Sequence, residues 1–171
     1  MGGDDHNDDL VIDQAFVDKV KKEGGRYLDF YNFLSDEVQQ KVRDKHVIDL
    51  IDKHFKAEDI TDIDLFGCIT DATLQHIATK CTRLEALSVE RCHQITDDGI
   101  TAIVEKIGSN LKVLDYSGCN RCTDAALQAV VQHCPNMEYL YADNTGITEI
   151  PDSIGHDLPK IGRASCRERV C

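Results

Sequence analysis

Apolar residues along this chain follow a compound pattern, a short alternating run and then a stretch of helical spacing, and the compound recurs. Leu84-Glu85-Ala86-Leu87-Ser88-Val89-Glu90-Arg91-Cys92 superimposes on Leu111-Lys112-Val113-Leu114-Asp115-Tyr116-Ser117-Gly118-Cys119. Ile60 to Cys68 and Met137 to Thr145 fit the same frame, with apolar residues in the first, fourth and sixth places. An Ile/Cys-Thr-Asp step follows three of these segments: Ile69-Thr70-Asp71, Ile95-Thr96-Asp97 and Cys122-Thr123-Asp124. Behind it, Leu74, Ile77 and Ala78, then Ile100, Ile103 and Val104, then Leu127, Val130 and Val131 recur at steps of three and four, as one buried helix face requires.

Segment starts at 60, 84, 111 and 137 lie 24, 27 and 26 residues apart, inside the roughly 20 to 29 residues of a leucine-rich repeat. In such a unit the strand turns its fourth and sixth residues inward, the helix returns the chain behind it, and neighbouring coils bury each other's apolar edges. The expected fold is α/β: a leucine-rich-repeat solenoid with parallel β-strands on the concave face and helices on the convex face. The Thr-Asp pair supplies side-chain oxygens where helix amides lack partners.

Upstream, Tyr27, Leu28, Phe30, Phe33, Leu34, Val38 and Val42, then Val47, Ile48, Ile51 and Phe55, recur at helical steps, and Ser35 before Asp36 and Glu37 reads as an N-cap. Two short amphipathic helices between Asp36 and Phe55 follow, making residues 26–59 a helical N-terminal cap. Residues 1–25, headed by the four aspartates of Met1 to Asp9, are expected to be an acidic disordered tail. Residues 60–160 are the repeats, expected to be truncated. Within them Gly146 to Ile154 resembles the shorter I-P-x-x-I repeats found in signalling proteins of plant or Ras-like-GTPase-linked type. Residues 161–171 resemble a translated sequencing adaptor, and we expect them to be non-native read-through.

The run Leu84 to Cys92, Ile95-Thr96-Asp97-Asp98-Gly99-Ile100, Leu111 to Cys119 and Cys134-Pro135-Asn136-Met137 resembles the cysteine-containing repeats of the F-box/LRR proteins and of the antagonist-of-mitotic-exit-network family. The resemblance covers about Ile60 to Asn144. It implies substrate recognition within a cullin-type ubiquitin ligase, where an F-box recruits the ligase and the repeats hold the target. Leu34 to Val42 resembles the opening of an F-box helix with Ser35 where Pro is usual. The later F-box helices and their Trp are missing, so a complete F-box does not fit between Lys41 and Ile60.

Composition narrows the function further. A formal net charge of −12, with 31 acidic against 19 basic residues, repels phosphate backbones and anionic headgroups, so neither nucleic acid nor membrane is expected as a partner. No run is long and apolar enough to span a bilayer, and the acidic start is no secretory signal, so a cytoplasmic or nuclear protein is expected. Eight cysteines in such a chain argue for reduced thiols. Cys119-Asn120-Arg121-Cys122, with Cys92-His93 and His133-Cys134, could be imagined as a zinc site. Against it, Cys68, Cys92 and Cys119 share one repeat place, Cys81 and Cys134 share another, and Cys122 replaces an Ile. All six then read as small buried hydrophobes of the core. The seven histidines form no motif with a Ser or Cys, and no phosphate loop is present, so neither an enzyme nor a cofactor is expected.

The third, fifth and seventh places of each strand point away from the core and should align between repeats. They are Asp62, Ala86, Val113 and Tyr139; Asp64, Ser88, Asp115 and Tyr141; Phe66, Glu90, Ser117 and Asp143. Aspartates and tyrosines there favour a basic protein or peptide, with Tyr as anchors; the competing reading is a merely solvated face. Cullin-ligase components are the further partners the resemblance implies, and the alternative is the sensor segment of a larger GTPase or kinase.

Overall fold

A computed structural model describes residues 12–150. Its strands are β1 (Tyr27–Asp29), β2 (Asp62–Asp64), β3 (Ala86–Ser88), β4 (Val113–Asp115) and β5 (Tyr139–Tyr141). They form one parallel sheet in the order β1-β2-β3-β4-β5. The helices are α1 (Gln14–Lys22), α2 (Phe30–Phe33), α3 (Asp36–Gln39), α4 (Asp44–His54), α5 (Asp71–Lys80), α6 (Asp97–Ile107) and α7 (Asp124–His133), with a 3₁₀ turn at Ala57–Asp59. Helices α4 to α7 pack in sequence order behind the strands. This is the expected α/β solenoid of leucine-rich repeats.

The inward places hold as the alternation requires. Leu28, Ile63, Leu87, Leu114 and Leu140 are buried at the middle of each strand, and Leu65, Val89 and Tyr116 two residues on. The first places, Ile60, Leu84, Leu111 and Met137, close the layer from beneath.

Two ladders of polar groups tie the coils together. Each Thr caps its own helix: Thr70, Thr96 and Thr123 accept from the amides of Ala72, Asp98 and Ala125. Each following Asp reaches forward one coil instead. Asp71 accepts from the Thr96 amide at 2.8 Å and its hydroxyl at 2.6 Å, and Asp97 does the same for Thr123 at 2.7 Å each. Asp124 receives Thr148 at 2.8 and 2.7 Å. The Thr place therefore persists through the change of repeat style near Ile147. Gly99 lies where a β-carbon would collide with the Asp71 carboxylate, so its bare backbone makes room for this rung. In the second ladder the amides of Asn110 and Asn136 donate to the carbonyls of Thr82 and Ser109.

The N-terminal expectations need correction. The disordered tail fails over residues 14–22, which form α1. Asp13 caps it, accepting from the Phe16 amide at 2.9 Å, and Phe16, Val17 and Val20 are buried. The Phe16 ring sits 5.1 Å from Phe30 and 6.1 Å from Phe33. Apolar burial on this one face outweighs the polar composition around it; residues 1–11 lie outside the described residues, as do 151–171 with the adaptor-like stretch.

The purely helical cap over 26–59 is likewise revised. Tyr27–Asp29 is a strand, pairing in register with Asp62–Asp64, and α4 occupies the position of a repeat helix. Asp44 begins the carboxylate ladder, accepting from the Thr70 amide and hydroxyl at 2.8 and 2.7 Å and from the Thr73 hydroxyl. The segment is a first repeat carrying the α2–α3 insertion. The two helices expected after Ser35 are α3 and α4, although Ser35 makes no side-chain capping bond.

Of the six expected core cysteines, Cys81, Cys92, Cys119, Cys122 and Cys134 are buried, whereas Cys68 is only half-buried. The thiols of Cys92, Cys119 and Cys122 donate to the carbonyls of Leu65, Val89 and Ile95 in the coil before each. The coil before Cys68 carries the α2–α3 insertion, and the equivalent cover is lost.

Candidate functional site

The face of the sheet away from the helices is built by strand register. Tyr27, Asp62, Ala86, Val113 and Tyr139 pair along one row, and Asp29, Asp64, Ser88, Asp115 and Tyr141 along the next. The structure therefore brings Asp62, Asp64, Val113, Asp115, Tyr139 and Tyr141 together on one surface. Phe66, Glu90 and Asp143 stand at the C-terminal ends of their strands, two residues beyond the second row.

Three residues of this surface went unrecognised in the sequence: Tyr27, Asp29 and Tyr31. The missed signal was the alternation in Tyr27-Leu28-Asp29-Phe30, with Leu28 and Phe30 buried. Asp29 is itself buried and caps α2, accepting from the Asn32 amide and side chain at 2.7 and 2.9 Å. Tyr31 meets Phe66 edge to face, ring centroids 6.0 Å apart. Because α2 follows β1 directly, this pair walls one end of the sheet face.

The electrostatics are set by like charges on a half-buried surface. Burial, then the charges of Asp29, Asp115 and Glu90, pushes the Asp64 carboxyl up to about 6, against an opposing hydrogen bond with Ser88. Burial and the same aspartates, Asp29 and Asp64 foremost, push Tyr27 up to about 12. In both, burial is the larger cause and the neighbouring carboxylates add to it. The aromatic members stay in solvent: Tyr31, Tyr139 and Tyr141 are 50%, 48% and 41% exposed.

At the opposite end lies a shallow cavity of about 300 Å³, lined by Glu90, Arg91, Asp115, Ser117, Tyr141 and Asp143. Asp115 is held in place by accepting from the Ser117 amide at 2.8 Å, and the Ser117 hydroxyl accepts from the Asp143 amide at 3.2 Å. Below it, Gly67, Arg91, Gly118 and Asn144 occupy the same place in successive repeats and all have positive φ, 117°, 57°, 76° and 54°. Arg91 alone of the four is neither Gly nor Asn, a conformation costing about 1 kcal/mol.

The thiols are arranged differently. Cys119 and Cys122 are neighbours, but Cys92 and Cys134 sit in other coils. Among the described residues no group of three or more His, Cys, Asp or Glu is placed to hold a metal. Burial pushes Cys81 and Cys134 up to about 12 and Cys92 higher still, so these thiols stay protonated. Among the described residues no helix is long and apolar enough to cross a membrane.

No family model matches the chain. In sequence it is similar to F-box/LRR-repeat protein 23 of Arabidopsis thaliana, 23% identical over 112 residues, covering 60% of this chain and 24% of that protein. It is also similar to the F-box protein SKIP19 of Arabidopsis thaliana, 32% identical over 105 residues, covering 60% of this chain and 34% of that protein. The chain thus spans about a quarter to a third of the curated relatives it matches. Among solved structures it resembles a chain of the yeast Rad7 and Elc1 complex, with a TM-score of 0.55 at 22% identity over 64% of this chain and 29% of that one. These two relatives are F-box and F-box/LRR proteins, whereas the protein SUPPRESSOR OF npr1-1, CONSTITUTIVE 1 of Arabidopsis thaliana is 23% identical over 158 residues, covering 91% of this chain and 10% of that protein, and the structural likeness is one of fold.

Proposed function

We propose that this chain is a protein-binding module that holds a target, through its concave face, for a cullin-type ubiquitin ligase. The observation that carries the reading is the in-register parallel ladder. It gathers Asp62, Asp64 and Asp115, half-buried, with the exposed Tyr139 and Tyr141 onto one surface, where Asp29, Asp115 and Glu90 add to burial in disfavouring the Asp64 charge. A solvated face gains nothing from such crowding, whereas a cationic partner relieves it. The F-box relatives and the fold shared with a chain of the Rad7 and Elc1 complex support the ligase half of the reading. On this reading the chain binds and does not catalyse, works in the cytoplasm or nucleus, and takes a basic protein patch rather than nucleic acid or membrane.

Co-purification of the tagged chain from its source cells, with partners identified by mass spectrometry, tests both halves. A cullin scaffold in the purified material supports the ligase role, and its clean absence discards that role. Loss of the captured target in the D64N/D115N double variant supports the concave face, and full retention discards it.

A further inference from the structure

The two ends of the sheet face differ from its middle. At the β1–β2 end, the Tyr31 and Phe66 rings meet edge to face, and Asp64, two residues before Phe66, lies next to Asp29 in the second row. At the β4–β5 end, Asp115, Glu90 and Asp143 line the 300 Å³ cavity with Tyr141, and it stays net negative although Arg91 also lines it, with its Nε 3.4 Å from the Glu90 carboxylate. Between them the rows hold Ala86, Ser88 and Val113, side chains that carry no charge and little bulk.

We propose that this face reads two cationic side chains of one partner segment, the first at the Tyr31–Phe66 corner beside Asp64 and the second in the cavity beside Tyr141. The inference rests on the protein-binding reading above and specifies its ligand: lysine or arginine at a fixed spacing. An aromatic ring beside a carboxylate suits a long cationic side chain twice over, since the ring face attracts the charge and the methylene stem covers the ring. The small residues in the middle let the partner's backbone approach the sheet. From the β1–β2 boundary to β4 is two and a half strand spacings of about 4.8 Å, so the two charges should sit about 12 Å apart. The acids that add to burial in raising Asp64 and Tyr27 support the same choice of ligand.

The spacing is testable with the full chain and rigid probes. Blocked peptides with two arginines separated by a run of prolines form polyproline helices of about 3.1 Å per residue, three residues per turn. Two intervening prolines put both arginines on one side about 9 Å apart, and eight put them on that same side about 28 Å apart. Fluorescence anisotropy at low salt should show the short probe binding at least about ten-fold tighter than a single-arginine control, because the second contact becomes intramolecular. The long probe should bind no better than the control. Y31A/D64N and D115N/D143N should each reduce the short probe to control affinity, circular dichroism verifying that both variants fold. Equal affinity for short and long probes overturns the proposal, as does either double variant leaving the short probe unaffected. Should the probes fail to bind while the natural target is still lost from D64N/D115N, the two-cation proposal falls and the docking face stands.

Discussion

Substituting Asp64 by Asn removes the cost of holding a half-buried carboxylate among other acids on the binding face. Asp64 is held at about 6 against an ordinary 3.8, which at about 1.36 kcal/mol per pH unit corresponds to roughly 3 kcal/mol. Solvent reaching this half-buried carboxylate screens part of that, leaving about 1.5 kcal/mol. The sign follows from the direction of the displacement. A carboxyl raised in the folded state contributes stability that is present below its unfolded value and lost as pH rises through about 6. Asn keeps the size and can still accept from Ser88, but never ionises. D64N should therefore be more stable than the native chain by about 1.5 kcal/mol at neutral pH, a rise in melting temperature of about 4 °C. The difference should shrink toward zero near pH 4, at about the unfolded value. Urea unfolding followed by circular dichroism between about pH 4 and pH 8 measures it directly. The same substitution should weaken binding of a basic partner, so that stability and affinity move in opposite directions. If D64N were destabilising at neutral pH, or its effect independent of pH, the account of a carboxylate raised by burial and by neighbouring acids would be wrong.

Four further substitutions or probes address the scaffold. D97A removes the acceptor of the Thr123 amide and hydroxyl and of the Ala126 amide, and should cost about 1–3 kcal/mol in urea unfolding, since water replaces only part of these charge-assisted bonds; an unchanged midpoint would show that the carboxylate ladder is decorative. The Tyr116 hydroxyl is buried without a partner, so Y116F should be neutral or stabilise by up to about 1 kcal/mol, and a substantial loss would reveal an unseen bond. R91G relieves the positive φ of Arg91 and should raise stability by about 0.5–1 kcal/mol by the same assay. Native-state alkylation mapped by mass spectrometry should label half-buried Cys68 at least about ten-fold faster than Cys92 or Cys119; equal rates would refute the incomplete cover.

The repeating coils were legible because burial there is periodic. Ile63, Leu87 and Leu114 sit at matching places and face one layer, so alternation alone predicted both the sheet and its outward rows. The first coil was hidden by its insertion. Tyr27–Asp29 lies 35 residues before its partner strand rather than 24 to 27, and a three-residue strand has too few positions to show a period of two against neighbouring helical spacing. Its identity is imposed from outside, by the backbone groups of Asp62–Asp64 that would otherwise form an unpaired edge. The same cause explains Asp44, which does the work of Asp71 and Asp97 without a preceding Thr to mark it. It also explains Cys68, whose repeat place matched Cys92 while its burial depended on the irregular coil ahead. The corner proposed to take one cation inherits this blindness. The Tyr31–Phe66 corner joins an insertion to a repeat, and no periodicity within either one predicts that they meet. Where a solenoid departs from its own period, the departure is also where its surface becomes unlike that of other repeats, and that is where discrimination between partners can arise.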